Sequence, residues 1–436
     1  MDKIFELIGR EEKRQKETLM MIPSENYTYK EVMEAVGSVL MHKYAEGYPK
    51  RRYYQGNEVV DEIEDLCRTR ALEVFGLEEE EYGVNVQPHS GSEANLAVYN
   101  ALLTPGDKIM AMYLPDGGHL SHGWSMENNK TTFVSKIFEV GFYKVDPETR
   151  IFNYDEIERM ALEFRPKLII SGGTAYPREV DYKKMSQIAK KAGAYYLADI
   201  AHEAGLVAAG VCAKPFEFAD VVTMTTHKTL RGPRGAIIIA KKELMERINM
   251  AVMPGLQGGP HLHSIAGIAV ALEKTKTKEF GEYARQTVKN ARELAKRLGE
   301  KGFDVVSGGT DKHLVLVDLR NMGVSGWHLA WALDAAGIII NRNTVPQETA
   351  SPFYPSGLRM GTPAITVRGL REREMGIIAD WIGEISEIVG KRVILEDKEE
   401  RKRVLAEFKA EVFGNKRIGE IREEVRELCG RFRVPF

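Results

Sequence analysis

Short apolar runs alternate with amphipathic segments through the middle of the chain, between about residues 85 and 240. The apolar runs predict strands at 167–170, 194–198, 220–224 and 235–240. Polar and apolar residues at helical spacing predict helices at 155–164 and 182–192, which precede the first two of these strands. Strands that alternate with helices need crossover connections, and these give a mostly parallel sheet with helices on both faces. The pattern therefore predicts an α/β fold whose ligands bind beyond the carboxyl ends of the strands.

The amino-terminal segment, residues 2–19, has a different pattern. A charged run follows its apolar positions, which are Ile4, Phe5, Leu7 and Ile8. This pattern predicts a helical arm that packs on a partner subunit.

The second half of the chain ends in a smaller unit. A long run of apolar residues at helical spacing, from Phe280 to Leu298, leads into strand-like segments at 313–319 and 337–340. Helical patterns follow to the end. We therefore expect three parts, which are a helical arm over 1–45, a large ligand-binding domain over 46–265 and a small α/β domain over 266–436.

Composition and charge exclude several classes of function. A chain of 436 residues with 43% hydrophobic content can build two or three cores, and a net charge of −2 gives no basic field for nucleic acid. The three cysteines, Cys67, Cys212 and Cys429, are too far apart for a disulfide framework or a zinc site, so no metal site is expected. No apolar run is long enough for a membrane span or a signal segment, so we expect a cytoplasmic protein without membrane partners.

One lysine and one carboxylate follow two predicted strands. Lys228 comes after the strand at 220–224 and before a glycine-punctuated turn, and Asp199 follows the strand at 194–198. Pyridoxal phosphate needs an amine for its aldehyde carbon and a carboxylate for its pyridinium nitrogen. A lone strand-end lysine is usually a surface residue, but the pair predicts a site for this cofactor.

A Ser-Gly-Ser segment precedes a predicted helix at 96–103. Such a segment is usually only a helix cap, but a helix N-terminus also offers free N–H groups to a phosphate. Together with Lys228 and Asp199, the segment predicts a phosphate cradle formed by Ser90, Gly91 and Ser92.

Several separated motifs, taken in order, identify a family. They lie at 23–26 (Pro-Ser-Glu-Asn), 44–49 (Tyr-Ala-Glu-Gly-Tyr-Pro), 52–54 (Arg-Tyr-Tyr), 87–92, 226–230 and 359–364. From about Met21 to Arg368 the chain resembles the serine hydroxymethyltransferases. The resemblance implies a fold-type I pyridoxal-phosphate enzyme with a smaller C-terminal α/β domain. It also implies reversible transfer of the serine hydroxymethyl group to a reduced pterin, tetrahydrofolate or tetrahydromethanopterin, giving glycine, in a homodimer with shared active sites.

The same resemblance implies a role for individual residues. The implied catalytic residues are Lys228, Glu46, His227 and Thr225. Implied cofactor contacts come from Ser90, Gly91, Ser92, His119, Asp199, His202, Lys228, Gly258, Gly259 and Arg234. Serine would be bound by Ser24, Tyr44, Glu46, Tyr54 and Arg359. The pterin would contact Leu114, Gly118, Leu120, Asn343 and Phe353. Whether Glu46 acts as a base or as an acid stays open.

Two other functions compete with this interpretation. One is a pterin-independent pyridoxal-phosphate aldolase on the same scaffold, and the other is a non-catalytic binding relic of the fold. The chain also departs from the family pattern, because Pro115-Asp116 precedes Gly117 where most of the family has Ala-His or Ser-His, and the segment 351–356 is unusual. A carboxylate at Asp116 would disfavour an anionic tail nearby by about 1 kcal/mol. We therefore hypothesise that the natural carrier is a modified pterin such as tetrahydromethanopterin, as used by methanogenic archaea.

Overall fold

The computed structural model describes residues 2–126 and 129–436. Its α-helices in chain order are α1 Lys3–Glu17, α2 Lys30–Val36, α3 Glu58–Phe75, α4 Gly91–Leu102, α5 Phe133–Ile137, α6 Tyr154–Phe164, α7 Tyr182–Ala192, α8 Ala204–Ala208, α9 Met245–Val252, α10 Leu262–Thr275, α11 Lys278–Glu300, α12 Gly326–Ala335, α13 Pro363–Val367, α14 Glu372–Val389, α15 Lys398–Gly414 and α16 Lys416–Arg431.

The strands in chain order are β1 Leu19–Met20, β2 Gly47–Tyr48, β3 Arg51–Arg52, β4 Tyr82–Asn85, β5 Lys108–Met112, β6 Glu139–Tyr143, β7 Leu168–Ser171, β8 Tyr195–Asp199, β9 Val221–Thr225, β10 Ala236–Lys241, β11 Asp304–Val305, β12 Leu314–Asp318, β13 Ile338–Ile339, β14 Asn341–Asn343 and β15 Gly357–Gly361.

The contacts of the chain divide it into two compact units. The large unit is Thr28–Arg285, and the composite unit joins the residues up to Tyr27 with Gln286–Phe436. The amino-terminal residues belong with the carboxyl-terminal ones because β1 pairs in parallel with β13. These units do not coincide with the ranges 1–45, 46–265 and 266–436, which stay a prediction from the sequence.

The large unit is built on a sheet that, among the described residues, has the strand order β4-β10-β9-β8-β7-β5-β6. Strands β5 to β9 pair in parallel, whereas β10 runs antiparallel to both β4 and β9. Each of the four predicted strands is present, shifted by one residue at its start. The predicted α/β class with a mostly parallel sheet is confirmed.

Helices α4 and α9 cover one face of this sheet. Val98 and Leu102 of α4 and Ile248 of α9 lie in one buried cluster with strand residues such as Leu168 and Leu197. Truncation of a buried leucine in such a core costs about 2–5 kcal/mol, so this layer holds the strand ends in fixed positions.

The composite unit has a smaller antiparallel sheet, with the order β11-β12-β15-β14 within the part of the chain that the structure describes. Its core includes Trp327 of α12, Trp381 of α14 and Phe408 of α15. Arg368 ties the two ends of the chain together, because its guanidinium donates to the carbonyl oxygens of Thr18 and Cys429, both at 2.9 Å.

Helix α1 forms in the region where the sequence predicts a helical arm. None of its residues is buried, and its apolar positions Ile4, Phe5, Leu7 and Ile8 are 43–60% exposed. Within the described ranges, no helix is long and apolar enough to cross a membrane.

Candidate active site

The carboxyl ends of two neighbouring strands of the large unit carry the central residues of the site. Asp199 ends β8 and Thr225 ends β9, which pair in parallel. Lys228 follows three residues after β9, and only 8% of its surface is exposed. Topology therefore places the lysine and the carboxylate at one edge of the sheet, as the sequence predicts.

Asp199 is held in a cage of hydrogen bonds. Its Oδ2 accepts from Asn95 Nδ2 at 2.8 Å and from His122 Nε2 at 3.0 Å, and its Oδ1 accepts from the Ala201 N–H at 3.0 Å. Burial by itself would raise the pKa of Asp199, but the hydrogen bond and charge of His122, with help from His119 and Asn95, hold it well below its usual range. The side chain is therefore a fixed carboxylate.

Sequence reasoning missed two residues of this cage, Asn95 and His122. Asn95 lies on α4, one turn after the cradle segment, and its Oδ1 accepts from the Thr223 hydroxyl at 2.7 Å. His122 is fully buried and lies three residues after His119. For Asn95, the one sequence signal was a polar residue on the apolar side of α4.

The predicted phosphate cradle lies at the start of α4. Ser90 is the N-cap of this helix, and its Oγ accepts from the Glu93 N–H at 3.3 Å. A Cβ at Gly91 would lie 2.6 Å from Thr225 Cγ2, so only glycine lets the first turn come this close to the end of β9. Ser92 lies exposed on this turn. The unpaired N–H groups of a helix N-terminus suit a phosphate, so this part of the site fits the cofactor.

The segment that carries Lys228 is bound to the segment after Asp199. Thr225 Oγ1 donates to the Ala201 carbonyl at 3.0 Å, and Thr229 Oγ1 donates to the His202 carbonyl at 2.8 Å. His202 is 3% exposed and His119 is half-buried, with its Nδ1 2.7 Å from Ser121 Oγ. The structure therefore brings Asp199, His202, Thr225 and Lys228 to one place.

His227 and Arg234 lie beside the lysine segment. Arg234 Nη1 donates to His227 Nε2 at 3.4 Å. Burial, together with the nearby charges of Lys228 and Arg234, lowers the pKa of His227 to about 3. His227 is therefore neutral at neutral pH.

A second group of predicted residues gathers around the loop between α2 and α3, and it includes two glycines from the segment between α9 and α10. Tyr44 donates its hydroxyl to Glu46 Oε1 at 3.4 Å, and its ring lies 5.4 Å from that of Tyr54 in a T-shaped contact. A Cβ at Gly258 would lie 2.8 Å from Glu46 Oε1, and one at Gly259 would lie 3.0 Å from the Tyr44 ring. The structure therefore places all five of these residues together.

The residues predicted to bind the pterin lie in both units. In the large unit, Leu120 is 53% exposed and the Gly118 carbonyl accepts from the Thr174 hydroxyl at 2.8 Å, while Leu114 is half-buried. In the composite unit, Asn343 lies in β14 and Phe353 is 66% exposed.

The composite unit also carries Ser24 and Arg359, two residues predicted to bind serine. Arg359 lies on β15, and its Nε donates to Asn341 Oδ1 at 3.0 Å. Burial lowers the pKa of Arg359 to about 10, which leaves it protonated at neutral pH. Ser24 is half-buried in the segment that packs against Gly361 at the end of the same strand.

The parallel sheet, the strand-end lysine, the caged carboxylate and the helix N-terminus together define an α/β enzyme of the fold-type I pyridoxal-phosphate class. A family model described as serine hydroxymethyltransferase matches residues 1–382. The chain belongs to the serine hydroxymethyltransferase family, which confirms the prediction made from its motifs.

Curated relatives with this name come from distant organisms. A serine hydroxymethyltransferase of Methanosarcina barkeri is 50% identical over 99% of this chain and 97% of its own length. One of Acidothermus cellulolyticus is 48% identical over 99% of this chain and 95% of its own, and one of Caenorhabditis elegans is 46% identical over 99% and 88%. The chain is therefore similar to these proteins over nearly its whole length.

Proposed function

We propose that the chain transfers the hydroxymethyl group of serine to a reduced pterin and releases glycine, with pyridoxal phosphate held at Lys228. The observation that supports this most directly is the fixed, ionised Asp199 at the same sheet edge as Lys228 and the cradle. A non-catalytic relic would have no need to keep a buried carboxylate ionised, because burying a charge is costly without compensating partners.

Residues of the large unit would hold the cofactor. The first turn of α4 with Ser90, Gly91 and Ser92 suits the phosphate, Asp199 suits the pyridine nitrogen, and Lys228 suits the aldehyde carbon. When bound, pyridoxal phosphate supplies a sink for the electron pair released as the Cα–Cβ bond of serine breaks. Asp199 favours the protonated ring that this chemistry needs, because an adjacent negative charge stabilises a pyridinium. Asn95 and His122 keep its carboxylate oriented.

The remaining roles follow the family resemblance. Arg359 presents a planar, protonated guanidinium, which is suited to a bidentate contact with the serine carboxylate. Glu46 exchanges a proton with the serine hydroxyl, and Tyr44 and Tyr54 restrict its orientation. His227, being neutral, acts through hydrogen bonding beside Lys228 and not as a charged acid.

The homodimer with shared sites is part of this proposal. Tyr44, Tyr53 and Tyr54 are 54%, 78% and 40% exposed, which is unusual for a cluster of tyrosines in mutual contact. Exposed aromatic side chains that cluster together are typical of an interaction surface, so this face suits contact with a second copy of the chain.

Asp116, on which the repulsion argument for the carrier depends, does not present its charge at the surface. It is 5% exposed, and its Oδ2 accepts from the Val145 N–H at 3.1 Å. This internal contact weakens the repulsion argument for tetrahydromethanopterin, and the natural carrier stays a prediction. Side-by-side kinetics with the two carriers decide the question, and a higher kcat/KM with tetrahydrofolate would overturn the tetrahydromethanopterin hypothesis.

The reaction itself is tested by serine cleavage with and without a reduced pterin. We expect glycine formation to depend on the pterin, with Lys228→Ala as the inactive control. Equal rates in its presence and absence would favour the pterin-independent aldolase. The location in the cytoplasm stays a prediction, since some relatives are named mitochondrial or chloroplastic.

A further inference from the structure

Arg52 is a buried cation that binds the backbone on both sides of Glu46. Its Nη1 donates to the carbonyl oxygens of Ala45, at 3.0 Å, and Gly47, at 2.8 Å. The N–H of Tyr53, the next residue, donates to the Glu46 carbonyl at 2.9 Å. Two successive residues therefore bind three successive carbonyl groups around the proposed acid–base residue.

The rest of the Arg52 guanidinium binds helix α3. Its Nε donates to Asp61 Oδ1 at 2.8 Å, and its Nη2 donates to Glu64 Oε2 at 2.7 Å. The side chains of Arg52 and Glu64 are 3% and 1% exposed, so this ion pair is excluded from water. Burial raises the pKa of Glu64 and the charge and hydrogen bond of Arg52 oppose that shift, so each side chain depends on the other.

Gln87 extends this network toward the phosphate cradle. Its Nε2 donates to Glu64 Oε1 at 2.9 Å and to the Gly47 carbonyl at 3.0 Å. Gln87 lies three residues before Ser90, which caps α4. Hydrogen bonds therefore fix the backbone that carries Glu46 to α3 and to the segment that leads into the cradle.

We infer that Arg52 is a positioning residue, which fixes the backbone of Glu46 while Glu64 and Asp61 orient its guanidinium. The inference deepens the proposed function and rests on the acid–base role of Glu46. The loop is otherwise poorly enclosed, since the tyrosines around Glu46 are largely exposed. A planar fork with five donors can bind two carbonyls and two carboxylates at once, which the point charge of a lysine cannot do.

The first test removes both buried charges together, in Arg52→Gln/Glu64→Gln, because removing one alone would leave the other unpaired. We expect kcat for serine cleavage with a reduced pterin to fall by about 100-fold, the scale of a 1 Å misplacement of a catalytic group. Cofactor content, measured by absorbance, should stay at the wild-type level. Amide hydrogen exchange over residues 45–53 should become faster in the variant.

A matched control and a double-variant comparison separate positioning from general destabilisation. Arg159→Gln/Glu156→Gln removes an exposed ion pair on α6 of the same unit and should change none of these measurements. Added to Glu46→Gln, the Arg52→Gln/Glu64→Gln change should lower kcat by no more than about threefold further, since the two act through one group.

The outcomes are distinguishable. Independent, multiplicative losses, or a wild-type kcat in Arg52→Gln/Glu64→Gln, would overturn the positioning role. Wild-type turnover in Glu46→Gln would instead refute the acid–base assignment, and the exchange measurement would still report whether Arg52 orders the loop. If the double variant does not fold, Arg52→Lys keeps the charge, and a kcat loss of about tenfold with normal cofactor content is then expected; an unchanged kcat there contradicts the inference.

Discussion

The strand-end pocket around Asp199 and the loop around Glu46 are held in different ways. Asp199 is 8% exposed and accepts three hydrogen bonds from its own chain, so the sheet and α4 complete its surroundings. Glu46 sits among tyrosines that are up to 78% exposed, and the base of its loop is buried at Ala45 and at the side chain of Arg52. The hydrogen-bond cage of Asp199 is therefore complete within one chain, whereas the loop around Glu46 is anchored but left open, as expected if its partner is a second subunit.

The largest expected effect is in the pocket, at Lys228. Lys228→Ala should lower activity by roughly 10⁴- to 10⁶-fold, the scale for removing a covalent catalytic group. The fold should survive, because the residue follows a strand end and lies outside the hydrophobic clusters. Borohydride reduction followed by mass spectrometry should find the cofactor on Lys228 in the parent protein, and a label on another lysine would contradict the assignment.

Asp199→Asn should have the next largest effect, a loss of kcat of about 10²- to 10³-fold, as for other preorganised electrostatic partners. A matched control is Asp220→Asn, at the opposite end of the neighbouring strand, where the carboxylate accepts from the Tyr196 N–H at 2.8 Å. That control should lower stability without a comparable loss of kcat. Comparable losses in both variants would mean that Asp199 has only a structural role.

The open loop around Glu46 leads to a different prediction, because its residues should complete the active site of the partner subunit. Mixing inactive Lys228→Ala with inactive Glu46→Gln should form heterodimers with one intact site each, and recover about a quarter of wild-type activity at equal amounts. The measurement is turnover after verified subunit exchange. Absence of recovery would show that each chain completes its own site.

The smallest expected effect concerns His227 and acid stability. Burial lowers its pKa to about 3 in the folded chain, so the unfolded chain takes up a proton first as the pH falls below about 6.5. The free energy of unfolding is therefore unaffected by the titration of this residue above that pH and decreases progressively as the pH falls towards 3. The decrease amounts to about 2 kcal/mol at pH 5.

Urea unfolding at pH 7 and pH 5 should therefore show a smaller acid loss in His227→Leu than in the parent protein. His42→Leu, at an exposed position of the same unit, serves as the control. An identical acid loss in all three proteins would show that His227 does not remain neutral.

The sequence predicts the pocket better than the loop for a physical reason. Lys228 and Asp199 follow strands whose apolar runs are visible locally, and a parallel sheet brings their carboxyl ends together. Arg52 and Glu64 are charged residues that sequence patterns place on the surface, and only the folded chain shows that each neutralises the other in the interior. The pairing of β1 with β13 could not be predicted from the sequence either, because it joins segments more than 300 residues apart.

The position of β10 between β4 and β9 has a consequence for the order of folding. Strand β4 pairs with β10, whose residues follow it by about 150 positions, so Tyr82 meets Lys241 only after the intervening strands and helices have been synthesised. Such long-range pairing is slow, because a large loop must close before the contact forms. Residues 86–90 continue directly from β4, so the cofactor cradle should become competent late, and a chain still shorter than β10 should leave an unpaired strand open to chaperones or to aggregation.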